Sequence, residues 1–303
     1  MLARPPPGAR RPASGRSSEL AHGLSGAAQH TPRQDFDLSD GDFLAIAALV
    51  RQEAGIVLNA SKRDLVFGRL NRRLRVLGVA DFTAYRALLE GPGGADERRE
   101  MLNALTTNLT SFFREPHHFT YLANHVLPDL LGALPRRRVR LWSAACSSGE
   151  EPYSMAMVVH KALQGRTGAD VRILATDIDT NMVQTASQGI YPTARAAGIP
   201  PDYARMRVPQ PDDTFSVPDA IRQYIVFNQL NLLEPWPMRA PFDVIFCRNV
   251  VIYFDKDTQR SLFDRMADAL TEGGILFIGH SETLFRVSDR FMALGHTTYR
   301  KMR

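Results

Sequence analysis

The sequence predicts an all-α domain followed by an α/β domain with a mostly parallel sheet. Three features of the 303-residue chain support this prediction. Apolar residues recur with helical periodicity up to Leu105, and after Pro135 short apolar runs alternate with helical segments. A Pro-rich stretch at 190–227, which contains short strand-like pieces, is predicted to be a β-rich insertion. Strands that alternate with helices are typical of parallel sheets covered by helices.

The composition indicates a globular protein. The chain is 44% hydrophobic and 23% charged, which is ordinary for a folded domain. No apolar stretch approaches the roughly 20 residues needed to cross a bilayer, and the N-terminus lacks the apolar centre of a secretory signal. Cys146 and Cys247 are too few to crosslink a chain of this length, so we expect free thiols in a reducing compartment. These features predict a soluble, cytoplasmic protein without membrane insertion.

The N-terminal 35 residues differ in composition from the rest. They are rich in Pro, Gly, Ala, Ser and Arg and contain almost no aromatic or β-branched residues. Such a segment cannot bury enough apolar surface to offset its ordering entropy. Residues 1–35 are therefore predicted to be a disordered tail, and we assign them no function.

Residues 36–105 are predicted to form a small helical domain. Ser39 is a plausible N-cap of the first helix, which Gly55 ends, and Asn59 or Ser61 can cap the second. Two more helices are predicted at 81–89 and 96–105.

The second helix carries a concentrated positive charge. The whole chain has 37 Lys and Arg against 32 Asp and Glu, a net charge of +5. Residues 61–76 alone hold six basic side chains and one acidic one. A charged helix face is usually a solvated surface, but the uniform sign of this one favours docking of an acidic partner. The docking residues predicted on it are Lys62, Arg69, Arg72, Arg73 and Arg75.

In the α/β region, polar residues follow the predicted strands, where open α/β sheets bind ligands. These strands are 139–142, 171–175, 242–247 and 274–279. Glu150 and Glu151 open the helix after the first strand, where they would repel a pyrophosphate but suit an ammonium or sulfonium group. Asp177, at the tip of the next strand, is placed to accept hydrogen bonds from ribose hydroxyls. A cationic nucleoside of this kind is S-adenosylmethionine. An ordinary turn with capping acids is the alternative.

Eight motifs, in order from about Phe36 to the C-terminus, resemble those of the CheR-type chemotaxis receptor methyltransferases, which are protein-glutamate O-methyltransferases. The motifs are AGIVL (54–58), KRDLVFGRLNRRLRVLG (62–78), TTNLTSFFREPHHF (106–119), WSAACSSGEEPYS (142–154), ATDIDT (175–180), NLL (231–233), FCRNVVIYFDK (246–256) and GHSE (279–282). The resemblance implies a doubly wound sheet like that of class I S-adenosylmethionine-dependent methyltransferases. It divides the chain into a receptor-docking domain (36–105), a linker helix (106–135) and a methyltransferase domain (136–303).

The resemblance also implies a site and a reaction. The cofactor is S-adenosylmethionine, which becomes S-adenosylhomocysteine, and no metal is expected. The acceptors are glutamates on the cytoplasmic methylation helices of chemoreceptors. A glutamate carboxylate is ionised at neutral pH, so no general base is required. The residues implicated in cofactor binding are Asn108, Thr110, Arg114, Glu150 or Glu151, Asp177, Asn231, Leu232, Arg248 and Asn249. Arg114 and Tyr253 are expected to flank the transferred methyl group.

Two other functions remain open from the sequence. A non-catalytic sensor or scaffold would retain the cofactor fold, although intact Arg114, Asp177, Asn249 and Tyr253 speak against degeneration. A nucleic-acid methyltransferase is suggested by the basic pI near 9.4. It is weakened because aromatic residues, which would stack on bases, do not interleave with the arginines from Arg69 to Arg75. We therefore expect no nucleic-acid partner, and we expect a monomer.

Two smaller motifs carry further expectations. His117 and His118 are adjacent, and neighbouring residues on a helix point to different sides, so a structural role is favoured over metal binding. In relatives that bind a receptor tether, the insertion has a Gly-rich turn, whereas here the turn reads VPQPDDTFSV (208–217). This departure leaves tether binding as an open question.

Overall fold

The computed structural model describes residues 36–132, 138–164 and 170–302. The predicted tail at 1–35 lies outside the described residues. Within the described ranges, no helix combines the length and apolar character needed to span a membrane.

The N-terminal helical domain forms as predicted, with one difference at its second helix. Its helices are α1 (Asp40–Ala54), α2 (Arg63–Leu77), α3 (Phe82–Glu90) and α4 (Gly94–Leu105). The side chain of Ser39 caps α1, and Gly55 ends it with a φ of 69°. Neither Asn59 nor Ser61 caps α2, because a 3-10 turn at Ala60–Lys62 precedes that helix and the Ser61 hydroxyl donates to Asn59 instead.

Six further helices follow in the described part of the chain. They are α5 (Pro116–Tyr121), α6 (Leu127–Gly132), α7 (Glu150–Ala162), α8 (Thr180–Gln188), α9 (Asp219–Arg222) and α10 (Lys256–Ala269). A π-helical turn at Leu122–Val126 joins α5 to α6. The predicted linker helix is therefore the pair α5 and α6, preceded by an irregular segment at 106–115.

Within the described residues, ten strands form two sheets. They are β1 (Val139–Ser143), β2 (Val171–Asp177), β3 (Ile190–Pro192), β4 (Val208–Gln210), β5 (Thr214–Ser216), β6 (Ile225–Gln229), β7 (Phe242–Cys247), β8 (Leu270–Ile278), β9 (Phe291–Gly295) and β10 (Thr298–Lys301). The main sheet has the order β6-β2-β1-β7-β8-β10-β9. Its first five strands are parallel, and β10 runs antiparallel to both of its neighbours. The mostly parallel sheet predicted from the sequence is confirmed. The strand order reverses between β1 and β7, which opens a crevice at their carboxyl ends.

The insertion is smaller than the sequence predicted. Its antiparallel sheet has the order β3-β5-β4 and ends at Ser216. Residues 224–227, which we assigned to the insertion, enter strand β6 of the main sheet, where Ile225 pairs with Ile173 of β2. The assignment of the insertion up to 227 was wrong because β6 is an edge strand with exposed residues. It lacks the continuous apolar run that marks a buried parallel strand.

The helical domain is fastened to the carboxyl edge of the main sheet. The side-chain amide of Asn231 donates to the Glu53 carbonyl oxygen at 2.7 Å. The Val57 N–H donates to the Tyr253 carbonyl oxygen at 2.9 Å. The segment after α1 is thereby held above the crevice, and the two domains enclose one site.

Candidate active site

One cavity lies between the helical domain and the carboxyl ends of β1, β2 and β7. It measures about 1190 Å³, including the part open to solvent. Most of the predicted site residues line it, namely Asn108, Thr110, Arg114, Glu151, Asp177, Asn231, Leu232, Arg248, Asn249 and Tyr253. Lys62 from the predicted docking helix lies at the same cavity, together with the apolar side chains of Ile56, Val57, Leu58, Leu65 and Leu109. Motifs far apart in sequence are therefore brought to a single site.

Asp177 holds the turn that follows β1. Its carboxylate accepts the Ser147 N–H at 2.7 Å and the Asp179 N–H at 2.9 Å. Burial raises the pKa of Asp177 to about 6, although these backbone hydrogen bonds oppose the shift. Each carboxylate oxygen has a second lone pair, so Asp177 can still accept from a ligand hydroxyl.

Gly149 allows the same turn to pass close to the insertion. Its φ is 96°, and a Cβ atom there would lie 2.7 Å from the Cβ of Ala186 and 2.9 Å from the Tyr191 hydroxyl. Any side chain would therefore be both strained and obstructed. The turn must contain glycine at this position for α7 to begin beneath the cavity.

The two glutamates that open α7 face different surroundings. Glu151 lines the cavity, where its carboxylate accepts the Ser143 hydroxyl at 2.7 Å and Arg248 Nη1 at 2.9 Å. Glu150 is fully buried away from the cavity, and its carboxylate contacts Ser148 and Arg195. The structure therefore excludes Glu150 from the cavity wall and retains Glu151. Successive helical residues are about 100° apart, so only one of the two can face the ligand.

Arg248 is the centre of a buried ionic network. Its side chain is 1% exposed; Nη2 donates to the Arg114 carbonyl oxygen and lies 3.2 Å from Glu115 Oε2. Burial alone would raise the pKa of Glu115, but Arg248 and hydrogen bonds from His280 outweigh it and lower the pKa to about 2. Burial raises the pKa of Glu151, with Arg248 opposing that shift. Arg248 thus compensates the buried carboxylate of Glu151 and the partly buried one of Glu115, and it fixes the backbone of Arg114.

The two predicted catalytic side chains keep polar groups available. Arg114 donates from Nη1 to the Leu109 carbonyl oxygen at 2.8 Å, which leaves its remaining N–H groups free of protein partners in the described part of the chain. Tyr253 is partly exposed, and its hydroxyl has no hydrogen-bond partner among the described residues. The same holds for the side chain of Thr110. These three groups are available to a ligand, in addition to the lone pairs of Asp177.

Asn249 follows β7 in a strained turn. Its φ is 57°, and its N–H donates to Glu282 Oε2 at 3.0 Å. Glu282 also accepts the N–H groups of Val251, at 3.0 Å, and of Gly279. A Cβ at Gly279 would lie 2.4 Å from Asn249 Nδ2. The GHSE motif therefore shapes the cavity wall through Glu282 and Gly279 and not through His280, which is exposed.

Asp179 is a structural residue of the site that the sequence reasoning missed. It is 2% exposed, and its side chain caps α8 by accepting the Asn181 N–H at 3.0 Å. The other carboxylate oxygen accepts the Thr106 hydroxyl at 2.8 Å and the Asn108 side-chain amide at 2.7 Å. An Asp directly before a helix is an N-cap signal, which could have identified it. It ties the segment after α4 to the sheet.

The predicted docking cluster divides into two groups. Lys62, Arg72 and Arg75 are exposed and have no side-chain partner among the described residues. Arg69 instead donates to the carbonyl oxygens of Leu105, at 2.8 Å, and Thr106, at 2.7 Å, at the end of α4.

Arg73 is also committed within the domain. It forms a bidentate pair with the buried Glu97, with Nε 2.8 Å from Oε1 and Nη2 2.5 Å from Oε2. Arg69 and Arg73 therefore hold the helical domain together, and three cations remain for a partner.

The adjacent histidines belong to a cluster with Glu115. Ligand atoms of Glu115, His117 and His118 lie within 4.8 Å of one another. The Arg248 guanidinium already supplies positive charge to Glu115 at 3.2 Å. Burial and Arg248 lower the pKa of His118 to about 3, so the ring is neutral at physiological pH, with Nε2 2.9 Å from the His296 carbonyl oxygen. These contacts favour the structural role expected from the sequence.

Comparison with known proteins identifies the family. The model described as "CheR methyltransferase, SAM binding domain" matches residues 108–300, and "CheR methyltransferase, all-alpha domain" matches residues 41–106. A probable chemotaxis protein methyltransferase of Rhizobium etli is 46% identical over 262 residues, covering 83% of this chain and 96% of its own length. The chemotaxis protein methyltransferase of Salmonella typhimurium is 43% identical over 274 residues, with 88% and 92% covered.

Proposed function

Because this chain belongs to the CheR methyltransferase family, we propose that it methylates glutamate side chains of chemotaxis receptors. Its match to the family's SAM-binding domain makes it an S-adenosylmethionine-dependent methyltransferase. The proposed products are glutamyl methyl esters and S-adenosylhomocysteine. The observation that carries the proposal is the presence of Arg114 and Tyr253 in one cavity with Asp177 and Lys62.

The cavity residues fit S-adenosylmethionine. Asp177 has lone pairs available for ribose hydroxyls, and Leu232 and Ile178 offer apolar surface to a base. Glu151 provides a carboxylate for the ammonium group at the first turn of α7, partly neutralised by Arg248. When bound, the cofactor supplies an electrophilic methyl group on a sulfonium.

Arg114 and Tyr253 are proposed to hold the acceptor. A glutamate carboxylate needs no base at neutral pH, so the work of the protein is alignment and exclusion of water. Alignment of this kind can contribute about 7–11 kcal/mol. The free N–H groups of Arg114 can pair with a carboxylate in a planar geometry that Lys cannot match. The hydroxyl of Tyr253 can orient the second carboxylate oxygen.

The exposed cations on α2 and in the turn that precedes it are proposed to attract the substrate. A receptor methylation region rich in glutamate presents an acidic surface, and Lys62, Arg72 and Arg75 would raise its rate of encounter. Methylation removes a negative charge, so product should be held less tightly. The proposal places the enzyme in the cytoplasm with those methylation helices. It uses groups from one chain only, and no step of it uses a metal or a nucleic acid.

Transfer of a labelled methyl group to a receptor fragment tests the proposal. The full chain is incubated with S-adenosylmethionine carrying a tritiated methyl group and the cytoplasmic fragment of a chemoreceptor. We expect label on the fragment that alkali releases as methanol, since esters are hydrolysed by base and N-methyl groups are not. Cofactor binding without transfer to any tested receptor fragment would support the scaffold function instead, and alkali-stable label would contradict ester formation.

Substitution of Arg114 tests its proposed role. Arg114→Ala should lower kcat at least 100-fold while the melting temperature stays within about 2 °C of wild type, and Arg114→Lys should recover only part of the loss. Arg239→Ala, at an exposed residue outside the cavity, is the matched control. Parallel losses of turnover and melting temperature in Arg114→Ala would show that the residue acts through folding.

A further inference from the structure

We infer that the cavity mouth recognises apolar side chains beside the accepting glutamate, through Leu109 and Val57, with Lys62 pairing to a neighbouring acid. The inference rests on the proposed function and specifies its substrate. The new element is the apolar contact next to the accepting glutamate.

Leu109 is an exposed aliphatic residue at the entrance of the proposed catalytic cavity. Its side chain is 79% exposed, the highest value among the large apolar side chains of the described residues. It lies between two predicted cofactor residues, Asn108 and Thr110, and lines the cavity. When a partner covers an aliphatic side chain that faces water at such a position, the burial of its apolar surface favours binding.

The backbone around Leu109 is fixed, so its side chain is presented in advance. Its carbonyl oxygen accepts Arg114 Nη1 at 2.8 Å. The preceding carbonyl, of Asn108, accepts the Ser147 hydroxyl at 3.1 Å. Binding a partner therefore requires little further ordering of this segment, which favours affinity. The contact also links Leu109 to the residue proposed to hold the acceptor carboxylate.

Val57 supplies apolar surface from the helical domain. Its side chain is 43% exposed and lines the same cavity. The Val57 N–H donates to the carbonyl oxygen of Tyr253 at 2.9 Å, so its position is coupled to the second proposed catalytic residue. Each proposed catalytic residue thus has an exposed aliphatic residue hydrogen-bonded to it through the backbone.

The positive charge at the cavity mouth favours an acidic helix over a second copy of this chain as the occupant. Lys62 lines the cavity, is exposed and has no side-chain partner among the described residues. Arg72 and Arg75 continue the positive charge along α2. Two aliphatic residues and the unpaired Lys62 at one cavity, with further cations along α2, complement a helix that carries glutamates beside an apolar stripe. A second copy of this chain offers no such match at α2, where like charges would meet.

The test compares Leu109→Ala with Leu44→Ala. Leu44 lies on α1, is 65% exposed and does not line the cavity, so it matches Leu109 in side chain and exposure. Initial rates are measured at saturating S-adenosylmethionine with the receptor cytoplasmic fragment, and cofactor affinity is measured by calorimetry. We expect kcat/KM for the fragment to fall about tenfold in Leu109→Ala and about threefold in Val57→Ala, with cofactor affinity unchanged within twofold. Leu109→Met should retain activity, and Leu44→Ala should match wild type.

Three results would overturn the inference. Equal kcat/KM for Leu109→Ala and wild type would show that the mouth is not a contact surface. A loss of cofactor affinity as large as the loss of kcat/KM would assign Leu109 to the cofactor site. Self-association of the wild type that Leu109→Ala abolishes would identify a second copy as the occupant. Failure of the wild-type enzyme to methylate any receptor fragment would instead reject the proposed function itself.

Discussion

Arg72 and Arg73 are adjacent residues on α2, and both were predicted to belong to one docking surface. The structure predicts that their replacement affects two different properties. Arg73 pairs with Glu97, whose side chain is 7% exposed and also accepts the Tyr85 hydroxyl at 2.7 Å. Arg72 is exposed without a partner in the described part of the chain. Arg73→Ala should therefore affect folding, and Arg72→Ala should affect the partner.

The size of the folding effect follows from the burial of Glu97. Removal of Arg73 leaves that carboxylate buried, with Tyr85 as its remaining hydrogen-bond donor among the described residues. Breaking a buried ion pair by removal of one partner costs about 3–5 kcal/mol. The Arg73 side chain is 23% exposed, so we expect the lower end, about 3 kcal/mol. A surface substitution such as Arg72→Ala should change the free energy of unfolding by less than about 0.5 kcal/mol.

Two assays separate the effects. Urea unfolding at pH 7 measures the free energy of unfolding, and kcat/KM for a receptor fragment is measured at low and high ionic strength. Arg72→Ala should lower kcat/KM at low salt and flatten its salt dependence, because an exposed steering charge is lost. The double variant Arg73→Ala/Glu97→Gln should be more stable than the sum of the single effects predicts. Equal unfolding free energies for Arg72→Ala and Arg73→Ala would refute the assignment of Arg73 to the interior of the domain.

Further substitutions test the buried network and the strained turn. Arg248→Met should lower the free energy of unfolding by about 3–5 kcal/mol at pH 7. The ionised form of Glu115 stabilises the wild type above pH 4.5, and this contribution is lost as the pH falls towards the Glu115 pKa of about 2. The difference in the free energy of unfolding between wild type and Arg248→Met should therefore be smaller at pH 4 than at pH 7. Glu282→Gln should weaken cofactor affinity about tenfold, as measured by calorimetry. An amide cannot accept all the N–H groups that the Glu282 carboxylate accepts, so the turn at Asn249 would be held less firmly. The control Glu272→Gln, at an exposed residue, should leave cofactor affinity unchanged. Gly279→Ala should weaken it as well, since its Cβ would collide with the Asn249 side chain.

The central strands could be predicted because their environment leaves a clear pattern. Strand β7 is buried at every position, and its bounds agree with the predicted run at 242–247. Strand β6 has the opposite character, since it lies at the sheet edge and its residues are partly or fully exposed. The hairpin of β9 and β10 was likewise missed, because its residues are largely exposed and its turn at His296 and Thr297 contains no glycine beyond Gly295. Tertiary pairing, not local pattern, forms these strands.

The choice between Glu150 and Glu151 illustrates what local sequence cannot supply. Both are acids in the first turn of α7, and both are buried. Their roles differ because Arg195, from the insertion, reaches Glu150 while Arg248, at the end of β7, reaches Glu151. These partners lie 45 and 97 residues away along the chain. A motif fixes residue type and order, but the partner that decides each role comes from the fold.

Some of the predicted site residues shape the cavity, whereas others can contact a ligand inside it. The side-chain amide of Asn231 donates to the Glu53 carbonyl oxygen and to Glu234. The side-chain amide of Asn108 donates to Asp179 and to Thr106. Both were predicted to bind the cofactor, yet each of these bonds holds the cavity wall together. A ligand that used those N–H groups would have to break the contacts that close the site. The side chains of Thr110 and Tyr253 and the remaining N–H groups of Arg114 have no partner among the described residues, so they can contact a ligand directly, as can the free lone pairs of Asp177. The side-chain amides of Asn108 and Asn231 therefore shape the cavity, and we propose that their effect on a bound cofactor is indirect.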